Sequence, residues 1–209
     1  MKYYPAFIDL KNKSAVVIGG GSVAERKVRS LVEAGANVRV ISPEITIGLA
    51  KLRDRGILKH TKRTYIKGDL KKAFIVIAGT SSPLVNKKIS DEAVCLVNVI
   101  DVPSEGNFIV PSLIRQGALT IAISTEGASP AISKAIRKEI EYLYGKEYGR
   151  YLRFVEKVRQ KTLTDIKDSR ERKKILNFLA SEEMLDHLRK KGFKETAAEI
   201  STYLAKQSL

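Results

Sequence analysis

Three consecutive glycines, Gly19-Gly20-Gly21, followed by Ser22-Val23-Ala24, are the residues of this chain whose types and spacing best suit chemistry. They fit the pattern G-x-G-x-x-G/A. In that pattern the first glycine permits a tight turn, the next lets a pyrophosphate approach the backbone, and the last small residue lets a helix pack close to a sheet. The pattern is informative only between a strand and a helix. Here Lys13-Ser14-Ala15-Val16-Val17-Ile18 precedes it as a short β-branched run. After it, Val23, Lys27, Ser30, Leu31 and Ala34 fall at helical spacing, with Gly35 as the stop. The start of such a helix offers free N–H groups and a positive dipole end to phosphate. A turn that only connects two elements does not need three glycines, so Gly19 and Gly21 are read as a dinucleotide pyrophosphate site.

The remaining candidates follow from where strands end, because ligands of open α/β sheets bind at the carboxyl ends of the strands. The second strand, Asn37-Val38-Arg39-Val40-Ile41, is followed by Ser42, Pro43 and Glu44 instead of the acid that usually meets a ribose hydroxyl. Ser42 is suited to that hydroxyl and Glu44 is within reach of it. Glu44 is equally suited to the first turn of a following helix, where a negative charge is favourable. No arginine stands there to receive a 2′-phosphate, which favours NAD over NADP. Gly79 and Thr80 end the apolar run Phe74-Ile75-Val76-Ile77-Ala78. Asn98 and Asp101 close the next one. Asp101 is the candidate for proton transfer, since partial burial at a strand end would tune a carboxyl for general-base work; a turn residue ahead of Val102-Pro103 is the other reading. Asn98 is either polar lining or a strand-end hydrogen bond. Ser124 and Thr125, in the loop Ser124-Thr125-Glu126-Gly127-Ala128-Ser129-Pro130, are suited to line a polar cleft, and Ser129 ahead of Pro130 to cap a helix. His60 lies among charges and reads as a surface residue.

The elements that position these residues alternate. Strands are expected at 13–18, 37–41, 57–65, 74–78 and 94–99. Helices are expected from Ser22, from Ser42-Pro43-Glu44 to Gly56, and from Ser81-Ser82-Pro83 to about Ala93. The alternation predicts a Rossmann-like, doubly wound parallel sheet over residues 1–106. Beyond Gly106, Phe108-Ile109-Val110 and Leu119 to Ser124 read as an antiparallel pair, followed by a helix from Pro130 to about Tyr144. This segment, 107–145, precedes a C-terminal helical domain at 146–209. There Tyr148, Tyr151, Leu152, Val155 and Val158 share one face, as do Leu185 and Leu188 further on.

Bulk properties narrow the classes. The 209 residues are 44% hydrophobic and 29% charged, as in an ordinary globular protein. No apolar run approaches the length needed to cross a bilayer. Without an apolar N-terminal signal core, the expected location is cytoplasmic. One cysteine excludes an internal disulfide and a Cys-rich zinc site, and two histidines argue against a His-based cage, so no protein metal site is expected. The formal charge of +15 favours anionic partners. Neither zinc-finger spacing nor an aromatic-interleaved basic strand points to nucleic acid.

Pro5-Ala6-Phe7, Val17 to Lys27, Val97-Asn98-Val99-Ile100-Asp101 and Ala122 to Pro130 together make the chain resemble the siroheme synthase N-terminal family: precorrin-2 dehydrogenases, some of them also sirohydrochlorin ferrochelatases. The resemblance covers about the first 145 residues. It implies NAD-dependent oxidation of precorrin-2 to sirohydrochlorin, with Fe²⁺ a substrate, not a bound cofactor, where ferrochelation also occurs. It further implies cofactor contacts at Ser22, Val23, Pro43 and Glu44, and a homodimer joined through about Asn107 to Tyr144. The family aspartate that serves the reaction matches Asp101. A serine phosphorylated in some relatives falls at Thr125 or Ser124, and that modification is not carried over. The polycarboxylate tetrapyrrole gives the basic charge a purpose. The competing class is a non-catalytic NAD-sensing regulatory module, which would need neither Asp101 nor the polar loop at Ser124 and Thr125.

Overall fold

The structure, a computed structural model, describes residues 2–206. The chain divides into two units, residues 1–110 and 111–209. In the first, β1 (Ser14–Ile18), α1 (Ser22–Glu33), β2 (Asn37–Ile41), α2 (Ile47–Asp54), β3 (Leu58–Thr61), β4 (Ile75–Ala78), α3 (Pro83–Glu92) and β5 (Leu96–Val99) follow in order. The five strands form one parallel sheet in the order β3-β2-β1-β4-β5. This is the Rossmann-like doubly wound sheet expected from the alternation of elements.

Burial on both faces explains the near-continuous apolar strands. Successive side chains of a strand point to opposite faces. Ala15 and Val17 of β1 therefore enter one core with Ala24, Val28 and Leu31 of α1 and Leu49 and Leu52 of α2. Val16 and Ile18 enter the other, with Ile89 of α3. The spacing 24, 28, 31 is the apolar stripe of a helix lying on a sheet.

Three expectations are corrected. The second helix does not open at Ser42-Pro43-Glu44. It opens at Ile47, where the Thr46 hydroxyl accepts from the Leu49 N–H at 3.2 Å and caps it. The strand expected over 57–65 is only Leu58–Thr61, at the sheet edge. Beyond it Arg63 donates twice to Asp69, each bond 2.7 Å, and holds the loop instead. Phe108-Ile109-Val110 forms no strand. The Asn107 side chain occupies the edge of β5, accepting from Val97 N and donating to Cys95 O, both at 2.8 Å.

In the second unit β6 (Ser112–Gln116) and β7 (Leu119–Ile123) form an antiparallel hairpin, followed by α4 (Pro130–Leu143), α5 (Lys146–Asp165), α6 (Ser169–Leu179) and α7 (Glu182–Lys206). Tyr148, Tyr151, Leu179, Met184, Leu188 and Ile200 make the core of the last three helices. Helix α7 breaks at Gly192 (φ 80°), and Glu147 accepts from the Phe193 N–H at 2.9 Å where the helix restarts. Helix α4 buries none of its residues.

Leu49 is fully buried and Leu84 is exposed. Leu49→Ala is expected to destabilise the protein by about 2–5 kcal/mol, and Leu84→Ala by less than about 0.5 kcal/mol. Urea unfolding of the two variants checks the contrast.

Candidate functional site

The carboxyl edge of the sheet is stitched one residue past each strand. Gly19 N donates to Ile41 O (3.0 Å), Gly79 N to Ile18 O (2.8 Å) and Ile100 N to Ala78 O (2.9 Å). The strand order reverses between β1 and β4, so the turns after these two strands diverge to opposite faces and leave a crevice. Gly19 has φ 114°, and a β-carbon on it would overlap the Gly79 carbonyl. A cleft of about 870 Å³ opens here. Of the residues singled out from the sequence, Gly19, Gly21, Ser42, Pro43, Glu44, Gly79 and Thr80 line it; Ser22 and Val23 do not. Thr64, Tyr65 and Val85 also line it, with no motif to announce them.

The loop between β2 and α2 forms one wall and is locked from two sides. Thr46 N donates to Gly20 O at 3.0 Å. A β-carbon on Gly20 would overlap the Glu44 carbonyl, so the middle glycine is dictated by this loop. The Thr46 hydroxyl also donates to the Glu25 carboxylate, which accepts from Arg29 Nε at 2.9 Å on its other oxygen. The Thr46 bond first, then that from Arg29, holds the Glu25 carboxyl below the usual carboxylate range. Ser42 is buried, and its carbonyl accepts from His60 Nε2 at 2.9 Å. His60 is therefore half-buried and engaged, contrary to the surface position expected for it. Glu44 is exposed and lies ahead of α2, which removes its reading as a first-turn charge.

The geometry fits a dinucleotide. Of the three α-helices of this unit, α2 and α3 are capped by Thr46 and Ser82, but no side chain caps α1. Its first-turn N–H groups are left for an acceptor from outside, which is the anion site of such folds. Around Gly21 there is open space where a β-carbon would stand. Among the described residues no Lys or Arg lines the cleft, and Arg63 beside it is committed to Asp69.

Asp101 lies in the turn past β5 with φ 67°, and it is exposed where partial burial was expected. The apolar strand stops at Val99 and the left-handed turn carries the carboxylate outward. Lys27, half-buried on α1, faces it. Burial pushes the Lys27 ammonium down first, Arg26 adds to that, and the Asp101 charge opposes both. Asn98 is buried and donates to Phe108 O at 3.1 Å, so its amide serves the fold where it stands. Ser124 and Thr125 belong to the second unit. The Ser124 hydroxyl accepts from Glu126 N (3.0 Å), and the Thr125 hydroxyl accepts from Ser129 N (3.3 Å) and faces Ser129 O (3.2 Å) in the loop before α4. Glu25, Lys27 and Thr46 were not singled out for the site. Only Thr46 carries a local signal, a threonine three residues ahead of a buried leucine.

Fold and cleft define a dinucleotide-binding α/β protein. A family model described as "Putative NAD(P)-binding" matches residues 6–112, and one described as "Sirohaem biosynthesis protein central" matches residues 116–142. A siroheme synthase of Methylobacillus flagellatus is 37% identical over 163 residues, 77% of this chain and 35% of that protein. Siroheme synthase 3 of Aeromonas hydrophila is 30% identical over 207 residues, 98% of this chain and 44% of that protein. Among solved structures, "SirC, precorrin-2 dehydrogenase" superposes with a TM-score of 0.80 at 26% identity, covering 96% of this chain and all of that one. The chain belongs to the NAD(P)-binding siroheme synthase N-terminal family, and it spans about a third of the length of the first of these relatives.

Because the Glu25 carboxyl is held low, the lock it forms is fully present above the ordinary carboxylate value of 4.5 and is lost as pH falls through the lowered value. Glu25→Gln is therefore expected to be less stable than the parent at neutral pH, with the gap closing in acid. Urea midpoints of both proteins across that window read it; a gap that does not change with pH removes the charge from the lock.

Proposed function

We propose that the chain oxidises precorrin-2 to sirohydrochlorin with NAD. The observation that carries the reading is the uncapped α1 N-terminus behind the glycine turn, beside a cleft lined by Gly79, against which the side chain of Ile100, the residue before Asp101, lies. The family match on both segments and the precorrin-2 dehydrogenase named among the solved structures support it.

When bound, the nicotinamide accepts a hydride, that is, one proton and two electrons of the substrate. The second proton must leave the macrocycle, and the Asp101 carboxylate is the acceptor at hand; its exposure lets it pass that proton to water. The glycine turn and α1 hold the pyrophosphate by N–H groups and dipole. Ser42 and Glu44 receive the ribose hydroxyls. The absence of Lys and Arg from the lining disfavours a 2′-phosphate, which supports NAD over NADP. Lys27 beside Asp101, within a chain of charge +15, attracts a polycarboxylate substrate. The lone cysteine suits a reducing compartment, which supports a cytoplasmic location for the reaction.

We also propose a homodimer joined through β6, β7 and α4. No residue of helix α4 is fully buried, and Ile132, Tyr142 and Leu143 are exposed, in the stretch that the central family model matches or directly after it. A two-stranded hairpin is at best marginal alone and gains from being covered.

Precorrin-2 supplied with NAD is expected to give NADH absorbance, with NADP a much poorer substitute. Asp101→Ala should lower the rate by about a hundredfold or more while NAD binding persists. Turnover unchanged in that variant refutes the role of Asp101, and no NADH from the parent refutes the activity. Light scattering tests the second proposal: Ile132→Asp should turn a dimer into a monomer, and a dimer that persists rejects this interface.

A further inference from the structure

We infer that Asn86 is a positioning residue: it fixes the Gly79-Thr80 turn, the wall shared by the cofactor cleft and the Asp101 turn. The inference rests on the reading of the cleft as an NAD site. Asn86 stands in the first turn of α3 and is 7% exposed. Thr80 N donates to Asn86 Oδ1 at 3.0 Å, Thr80 Oγ1 donates to the same oxygen at 2.8 Å, and Asn86 Nδ2 donates to Thr80 O at 3.1 Å. A backbone N–H only donates and a carbonyl only accepts, so these bonds fix which end of the amide is which. The side chain thus satisfies both backbone groups of Thr80, as a neighbouring strand would.

Packing alone does not explain an amide here. Asparagine is a poor helix former, and a buried amide is costly unless its bonds are made. What the three bonds secure is the position of Thr80, and through it Gly79. On one side the Gly79 carbonyl lies against Gly19, first residue of the glycine turn. On the other, the Ile100 side chain lies over the Gly79 α-carbon, where a β-carbon would meet it. Ile100 precedes Asp101. Loosening Thr80 therefore displaces the pyrophosphate turn and the carboxylate together. Ile89, one turn further along α3, is fully buried and anchors the clamp to the sheet.

The test is direct NAD titration of the whole chain, parent against Asn86→Ala and Asn86→Asp, at a temperature where circular dichroism shows all three folded. Loss of the clamp in Asn86→Ala should raise the NAD dissociation constant about tenfold, as loss of one to two hydrogen bonds does. In Asn86→Asp a carboxylate would set its second oxygen against Thr80 O. Burial raises the pKa of such a carboxyl, and its protonated form donates to Thr80 O as the amide does. Binding by Asn86→Asp should therefore be weak near pH 8 and recover severalfold toward the parent near about pH 5.5, without matching recovery in Asn86→Ala. A role in stability alone would lower the melting temperature and leave NAD affinity untouched. Parental affinity in both folded variants at both pH values overturns the inference. A parent that binds no NAD is a different result: it overturns the cofactor reading, and the inference with it.

Discussion

No side chain fits on Gly19, because the Gly79 carbonyl stands where its β-carbon would be. This close approach is set by the sheet. Strands β1 and β4 are neighbours in parallel register, Ile18 opposite Ala78, so the residues that follow them leave the sheet side by side. One turn must feed α1 on one face and the other α3 on the opposite face. The crevice between them exists because the two backbones part there, and it stays narrow because they touch first. With a β-carbon at Gly19 the turns would be pushed apart and α1 would no longer start at the floor of the cleft.

Around that contact, each face of the sheet contributes one polar side chain to the edge. Glu25 comes from α1 and holds the β2–α2 loop through Thr46. Asn86 comes from α3 and holds the Gly79-Thr80 turn. The two differ in a way that matters. Glu25 is charged, shares its carboxylate with Arg29, and acts on a loop that water reaches. Asn86 is neutral and buried, where an unpaired charge would be costly. Loops are commonly the mobile parts of such folds. Here both walls of the cleft are fixed by hydrogen bonds that originate in helices, so the cleft is largely formed before anything binds.

Much of this was legible in the sequence, and the rest failed for identifiable reasons. Apolar runs located all five strands of the sheet and apolar spacing located α1, since those patterns report burial directly, while the Ser81-Ser82-Pro83 entry located α3. It overextended β3, because a run that starts apolar and turns charged says nothing of where pairing stops. Proline after Ser42 suggested a helix start, but the true start is Thr46, whose cap is a three-residue relation instead of a run. His60 sits among charges, yet alternation along the strand turns it to the opposite face from Lys59. Asp101 follows a buried strand, and burial was extrapolated one turn too far; a positive φ at a non-glycine residue carries no sequence signature. The fingerprint ranks the first and third glycines, whereas the close contacts fall on the first and the middle one, the latter against a loop 24 residues further on.

The second unit shows what such reasoning sees least. Helices α5 to α7 close on a core of their own, with the buried Tyr151 hydroxyl donating to Leu179 O at 2.5 Å. Of the hairpin, Ile114 is buried and Leu119 packs against that core, whereas no residue of helix α4 is fully buried. Ser129 caps α4 by accepting from Ile132 N at 3.2 Å, so its start is well specified, and its exposed residues still include Ile132, Tyr142 and Leu143. Along the apolar face of this well-capped helix, Ile136 and Ile140 are half-buried while Ile132 and Leu143 stay exposed, so the face is only partly covered. Charge does not explain that face either, because isoleucine and leucine gain nothing from an anionic substrate. In the proposed homodimer a second copy of the same segment would supply a matching apolar surface by symmetry, since a two-fold interface places each patch against its own equivalent. The homodimer proposed above thus rests on exposed apolar residues of α4, independently of the chemistry at the glycine turn.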